Sequence, residues 1–335
     1  MKSRAISRRT RSQPRGVAMV LVLWIIMVLS LLIGGFAFTM QVEMQVASFS
    51  RKELKAEMLA RAGIEVARMQ LMLHIEPYDA LNQDWVTNQT LFVDHELGEG
   101  KYNVKVIDEE RKLPINLLSQ EQLKRLMDLL NVDPSESDVI VDSILDWREP
   151  GDLHRLNGAK SDYYESLSPP YSAKNAPLDR VEELLLIRGV TRELYDGTPA
   201  TKDEPATPGL SDLLTTTSSG HVNVNTASRI VLQVILALDD DHVAALLARR
   251  DGPDGVPGTE DDQPFQVAEF SSQLAGMAPQ ASAQARQLLT VNSSCFTVQS
   301  TGEVGAAKRT IVAVLQRVSP DTMVTVTWNE VRGGL

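Results

Sequence analysis

Arg15-Gly16-Val17-Ala18-Met19-Val20-Leu21-Val22-Leu23-Trp24-Ile25-Ile26-Met27-Val28-Leu29-Ser30-Leu31-Leu32-Ile33-Gly34-Gly35-Phe36-Ala37-Phe38 is the stretch on which the fold turns. No charge interrupts Val17 to Phe38, and the first acidic residue after Gly16 is Glu43. A membrane-spanning helix needs about 20 consecutive apolar residues, which this run supplies. On its N-terminal side stand Lys2, Arg4, Arg8, Arg9, Arg11 and Arg15, with no acidic residue among them. Basic flanks hold that end of a span in the cytoplasm, so the bulk of the chain is expected across the membrane.

Two rivals compete for this segment. A secretory signal peptide has a shorter apolar region of about 7–15 residues and a small-x-small cleavage site; Ala37 and the Gly34-Gly35 pair keep it open. A plain single-span anchor is the other. The helical pattern continues past the span from Thr39 to Leu73, with Leu54, Met58, Ala62, Glu65, Met69 and Leu73 stepping at three- and four-residue intervals. That stripe predicts a packed face, and Glu53, Lys55, Glu57 and Arg61 a solvent face. Pro77 is a natural stop. The expectation is one helix, with residues 17–38 in lipid and 39–75 amphipathic.

The 335 residues carry 33 basic and 44 acidic side chains, a net charge of −11. Beyond residue 16 the balance is −17, which opposes a nucleic-acid surface and favours divalent cations or a basic partner. Cys295 is the single cysteine, so no internal disulfide forms, and a small buried side chain is its ordinary role. The five histidines are scattered, with no metal-ligand spacing. Nucleophile-elbow, P-loop and dinucleotide-binding fingerprints are missing. His154 near Asp152 and Ser161 has no oxyanion element beside it, so the reading is not an enzyme.

Tyr102–Ile107 alternates as a strand does. Helical patterning follows for more than a hundred residues. Strand character returns at Cys295–Thr301, Arg309–Arg317 and Thr322–Trp328, with Gly302–Ala307 as a hairpin turn. The predicted fold class is α+β: a core from 76–110 and 292–335, split by a helical insertion at 111–291. The insertion contains an echo. Ile115-Asn116-Leu117, then Ser119, Leu123, Leu126 and Leu129, aligns with Val224-Asn225-Thr226, then Ser228, Leu232, Ile235 and Leu238. Ser119 and Ser228 are expected N-caps. Each unit continues into a second helix, Asp138–Trp147 and Asp241–Arg250. The pattern resembles helix-hairpin-helix modules, which gives the alternative reading of a membrane-anchored nucleic-acid-binding protein. Against it, the second hairpin reads Leu238-Asp239-Asp240-Asp241 and the first Asn131-Val132-Asp133, neither with glycine; no nucleic acid is expected.

The best candidate for site chemistry is Asp251-Gly252-Pro253-Asp254-Gly255-Val256-Pro257-Gly258-Thr259-Glu260-Asp261-Asp262. Its glycines permit tight turns, and Asp251, Asp254, Glu260, Asp261 and Asp262 offer oxygen ligands suited to Ca²⁺. The spacing is not that of an EF-hand, and a solvated acidic turn is the plain alternative. A second acidic stretch, Asp146, Glu149, Asp152 and Asp162, is a further calcium candidate, although Asp152 and Asp162 also suit turns. Residues 196–209 read as a flexible loop.

The basic head, Gly16 and the apolar run together resemble a type IV prepilin leader. With Asp146-Trp147-Arg148-Glu149-Pro150, Asn157-Gly158-Ala159, Tyr163-Tyr164, Pro169-Pro170-Tyr171, Asn175-Ala176-Pro177, Val181-Glu182-Glu183-Leu184, Arg188-Gly189-Val190-Thr191 and Val326-Thr327-Trp328, the chain from Arg15 onward resembles the minor pseudopilin K family of type II secretion systems. The resemblance implies a leader (residues 1–16) removed by a prepilin peptidase between Gly16 and Val17, N-methylation of Val17, and a C-terminal domain in the periplasm of a diderm bacterium. It implies a place at the pseudopilus tip beside minor pseudopilins I and J and the major pseudopilin, contact with the secretin or exported cargo, and calcium sites. One departure from the common pilin pattern stands out. The fifth mature residue is Leu21 where major subunits carry Glu, and the first is Val17 where they carry Phe. A subunit without that carboxylate cannot neutralise a neighbour's N-terminal ammonium in the apolar filament core, which suits it to a filament end.

Overall fold

A computed structural model of the chain describes residues 15–74, 76–200, 206–277 and 281–332. Residues 1–14, most of the expected leader (residues 1–16), lie outside the described residues. Two compact units divide the chain, residues 1–55 and 56–335. In the first, the described residues form one continuous helix, the start of α1 (Arg15–Leu73), and its apolar side chains from Val17 to Phe49 are solvent-exposed. The stretch from Val17 is long and apolar enough to cross a membrane.

The second unit begins with the rest of α1, followed by β1 (His95–Leu97) and β2 (Gly100–Asp108). Next come β3 (Leu113–Pro114), α2 (Gln120–Leu129) and α3 (Pro134–Arg148). After short turns come β4 (Leu214–Thr215), β5 (Val222–Asn223), α4 (Arg229–Leu236), α5 (Asp240–Arg250), α6 (Val267–Met277) and β6 (Leu289–Thr290). The chain ends on β7 (Cys295–Val304), β8 (Ala307–Ser319) and β9 (Thr322–Arg332). A five-stranded antiparallel sheet runs β1-β2-β7-β8-β9. The first and last parts of the sequence thus meet where β2 pairs with β7. The hairpin between β7 and β8 is tighter than Gly302–Ala307: pairing continues to Val304 and Ala307, and Gly305 turns at φ 60°.

The face of α1 that packs is not the predicted stripe. Ala56, Leu59, Ala60, Ile64, Ala67 and Leu71 are buried, whereas Met58, Met69 and Leu73 are 48–63% exposed. The reason is steric. A Cβ on Gly302 of β7 would stand 2.0 Å from the Ala56 carbonyl oxygen, and one on Gly63 would meet Ser300 Oγ at 2.2 Å. At Gly302 and Gly63 helix and sheet approach so closely that only small residues fit there, with Leu59, Ile64 and Leu71 packing around them, and the bulky methionines face outward. Arg61 is not a free solvent residue either. It pairs with Glu57 at 2.7 Å and with Glu330 of β9 at 3.1 Å, its guanidinium lying over Trp328. Arg68 reaches the Met323 carbonyl and Thr325 Oγ1.

Two hydrophobic cores result. One joins α1 to the sheet, with Trp85 set edge-on against Phe296 at 5.4 Å. The other, from Leu113 to Val291, fills the helical body. Cys295 is buried at the start of β7, its thiol pushed up to about 11 by burial and the nearby charge of Glu110.

Candidate functional site

The two echoed segments build the helical body as a duplicated frame. Ser119 caps α2 through the Gln122 N–H, and Ser228 caps α4 through the Val231 N–H. The side chain of Asn116 exchanges a pair of hydrogen bonds with the backbone of Leu178 (2.8 and 2.9 Å). Asn225 does the same with Phe265 (2.8 and 3.0 Å). Each unit is entered from a short parallel strand pair, β3 with β4 and β5 with β6. The sequence displays the asparagines; it does not display their partners, which lie 62 and 40 residues away.

Neither hairpin is built to hold phosphate. The turns are made by Asn131 and Ala237 at φ 58° and 53°, positions where glycine is the usual choice. Around the second, Asp239, Asp240 and Asp241 are exposed and oppose any phosphate. Arg125 faces inward there, donating to the carbonyls of Gln233 and Leu238.

In the acidic loop Gly252, Gly255 and Gly258 take φ values of 70°, 66° and 91°, so the glycines do set the turns. The five carboxylates divide, with Glu260 exposed and the other four engaged. Asp251 is buried against the Arg250 guanidinium at 2.6 Å. Asp254 accepts from the Val256 N–H. Asp261 accepts from the Asp254 N–H and from Thr259 Oγ1 at 2.7 Å, and the Thr259 hydroxyl holds its carboxyl below the usual range. Asp262 accepts from the Gly258 N–H at 2.7 Å and is pushed up by burial. Among the described residues no three His, Cys, Asp or Glu side chains are grouped to hold a metal ion. Asp254, Asp261 and Asp262 share the loop, each engaged with the loop's own donors.

The second acidic stretch gathers around cations of the chain itself. Arg155 bridges Asp146 at 2.7 Å and Glu149 at 2.8 Å. The ammonium of Lys160, a residue only 3% exposed, donates to the carbonyls of Asp146 and Glu149 and to Asn175 Oδ1 over 2.5–2.8 Å. Asp152 and Asp162 are exposed and do not join this group. A Cβ on Gly158 would strike Asp146 Oδ2 at 1.9 Å, which explains a glycine at that place. Trp147, Tyr164 and Tyr171 form an aromatic stack beside it, and burial pushes the Tyr164 hydroxyl up to about 12.

A polar joint that the sequence reading missed lies where the sheet meets the helical body. Asp79, Asp108, Glu109 and Glu110 are all buried. Asp108 Oδ2 accepts from Thr226 Oγ1 (2.5 Å), Ser293 Oγ (2.7 Å) and Asn223 Nδ2 (3.3 Å). Burial, then the charge of Glu110, pushes its carboxyl up to about 7. Glu110 accepts from the N–H groups of Ser219, Ser294 and Cys295. Asp79 carries the joint's guanidinium partner, Arg317, at 2.9 Å. Asp108-Glu109-Glu110-Arg111-Lys112 looks in sequence like a solvated charge run; the only clue to burial was its place at the end of a strand.

This architecture can be compared with known proteins. The family model for type II secretion system (T2SS), protein K, matches residues 100–198, which include the Trp147–Tyr171 cluster and Lys160. Over those residues the chain resembles the type II secretion system protein K family. The protein K of Klebsiella pneumoniae is 23% identical over 321 residues, 90% of this chain and 92% of that protein. That of Aeromonas hydrophila is 28% identical over 134 residues, covering 34% and 40%. A chain in the crystal structure of the GspK-GspI-GspJ complex of enterotoxigenic Escherichia coli shares the fold. Its TM-score is 0.62 at 17% identity, over 87% of this chain and 98% of that one. In this chain the Trp147–Tyr171 segment is a scaffold: its charged residues neutralise one another and its aromatics fill a core. Gly16, Val17 and Leu21 lie in the first turns of α1.

Proposed function

We propose that this chain is a minor pseudopilin that initiates or caps the pseudopilus of a type II secretion system. The carrying observation is α1: one unbroken helix supplies an exposed, membrane-length apolar stretch and then, from Ala56, the small-residue face that seats an antiparallel sheet. On this reading the span sits in the bacterial inner membrane and the sheet and helical body in the periplasm. A prepilin peptidase cuts between Gly16 and Val17, and the Val17 amine is methylated. Leu21 brings no carboxylate to the fifth mature position, so the subunit accepts no ammonium from above and ends the filament. The exposed face of Met58, Met69 and Leu73 is available to helices of minor pseudopilins I and J, and the major pseudopilin continues below. The helical body is left to meet the secretin or cargo. The work is mechanical, with no catalysis asked of any residue.

Calcium belongs to the same reading. Asp254, Asp261 and Asp262 would hold the ion, with Glu260 and loop carbonyls beside them. Support comes from three glycine hinges and from the four carboxylates other than Asp251 in one loop, whose repulsion a divalent cation relieves. Asp251 is left to Arg250, and the stretch around Asp146 to Arg155 and Lys160.

The deciding experiment is mass spectrometry of the mature N-terminus from cells making the secretion apparatus. A methylated Val17 start is expected. An intact Met1 end, or cleavage near Phe38, would overturn the assignment.

A further inference from the structure

A basic cleft opens in this acidic chain. It has a volume of about 550 Å³ and lies between β2, the turn Glu109–Arg111 and the start of α4. Ile107, Leu213 and Ile230 give it an apolar lining, and Lys105, Arg111, Lys112 and Arg229 surround them, against Asp212 as the single carboxylate. The four cations are not equally free. Lys112 is tied to buried Glu109 at 3.3 Å. Arg229 forms a surface pair with Asp240 at 2.9 Å, and such exposed pairs exchange cheaply with other partners. The side chains of Lys105 and Arg111 have no hydrogen-bonding or ion-pair partner among the described residues. The N-terminus of α4, capped by Ser228, adds partial positive charge at the same place.

Unpaired cations beside apolar side chains in a chain carrying −17 beyond its first sixteen residues call for an anionic, partly apolar occupant. We propose that this cleft docks an acidic segment of a partner protein that also places an apolar side chain against Ile107, Leu213 and Ile230. A peptide is favoured over a bilayer or a nucleic acid by the surrounding charge. A short acidic segment meets only the local basic patch, whereas an extended anionic surface also meets the chain's excess carboxylates. The inference does not rest on the secretion reading.

The test uses the purified full-length chain in a nonionic detergent. The probes are a fluorescent peptide with one leucine among alternating Glu and Asp, and its twin with Gln and Asn. The acidic peptide should bind, more weakly at raised salt, and the twin should not. Lys105→Glu with Arg111→Glu should weaken binding about tenfold or more while leaving the thermal midpoint in place. Equal binding of the two peptides, or full affinity in the double variant, overturns the proposal. So does failure of the acidic peptide to bind while phosphatidylglycerol vesicles, or a short DNA duplex, bind in a way that depends on Lys105 and Arg111. Should the double variant unfold, Lys105→Gln with Arg111→Gln carries the same comparison.

Discussion

Arg148 stands to Ile115 and Leu118 as Arg250 stands to Val224 and Ala227. Each arginine comes from the end of the second helix of its unit and satisfies two carbonyls flanking the asparagine of the first: Arg148 reaches Ile115 O at 2.6 Å and also Leu118 O, and Arg250 reaches Val224 O at 3.0 Å and Ala227 O at 2.6 Å. The backbone repeats as well, since Ile115 donates to Thr215 O and Val224 to Thr290 O. The helical body is therefore one device built twice, with the arginine, the asparagine and the capping serine in matching places.

The two arginines should not be equal in energy. Arg250→Met strands two buried carbonyls and the Asp251 carboxylate, and should cost about 3–5 kcal/mol. Arg148→Met strands carbonyls alone and should cost about 1–3 kcal/mol. Urea titration of the purified chain reads both midpoints; a larger loss for Arg148→Met would contradict the assignment.

Gly302→Ala should destabilise the sheet core by about 1–3 kcal/mol, because the obstructing atoms, Ala56 O and Ala60 N, are backbone and cannot rotate away. Thermal melting measures the loss. Trp85, packed on Phe296, should report the shift of helix against sheet by a change in its emission.

Asp108 sets a pH dependence of definite sign. Its carboxyl is raised in the folded state, so the stability it contributes is fully present below about pH 4, near the unfolded value, and is lost as pH rises toward about 7. Asp108→Asn cannot ionise. The stability of the variant minus that of wild type should therefore grow by a few kcal/mol from pH 4 to 7 and then level off. Chemical denaturation across that window would show a flat difference were the group unshifted.

Replacing Asp254, Asp261 and Asp262 together by Asn should abolish any rise in melting temperature on adding Ca²⁺, since a ligand stabilises the state it binds by mass action. Asp251→Asn should instead lower stability with or without the ion, because its partner is Arg250. Calorimetry showing undiminished calcium binding in the triple variant would move the site elsewhere; no binding by the wild type would leave the loop a solvated turn.

Much of the fold was legible because it is written in local periodicity. The α1 helix, the strand at Tyr102 and the three closing strands are periodic in sequence, and the asparagine–serine echo repeats at matching spacing. What failed depended on distance. Apolar size pointed to Met58 and Met69 as the packing face, but the close approach of Gly302 and Ser300, more than 200 residues later, selects the face that carries Ala56, Ala60 and Gly63. Likewise nothing near Glu110 announces that Ser294 and Cys295 will supply its hydrogen bonds. The acidic segment at Asp146 looked like a cation site because Arg155 and Lys160 read as ordinary surface charges until folding turns them inward.

Cys295 leaves the molecule unusually convenient to interrogate. Its thiol is the chain's only one, sealed at the root of β7 and held almost wholly protonated near neutrality. Folding consequently needs no oxidant and no disulfide isomerase, and an oxidising surrounding finds no thiolate to capture. A cysteine introduced on any surface position would be the sole reactive thiol, so paired substitutions across a suspected contact could be oxidised in living cells on the otherwise unaltered native chain.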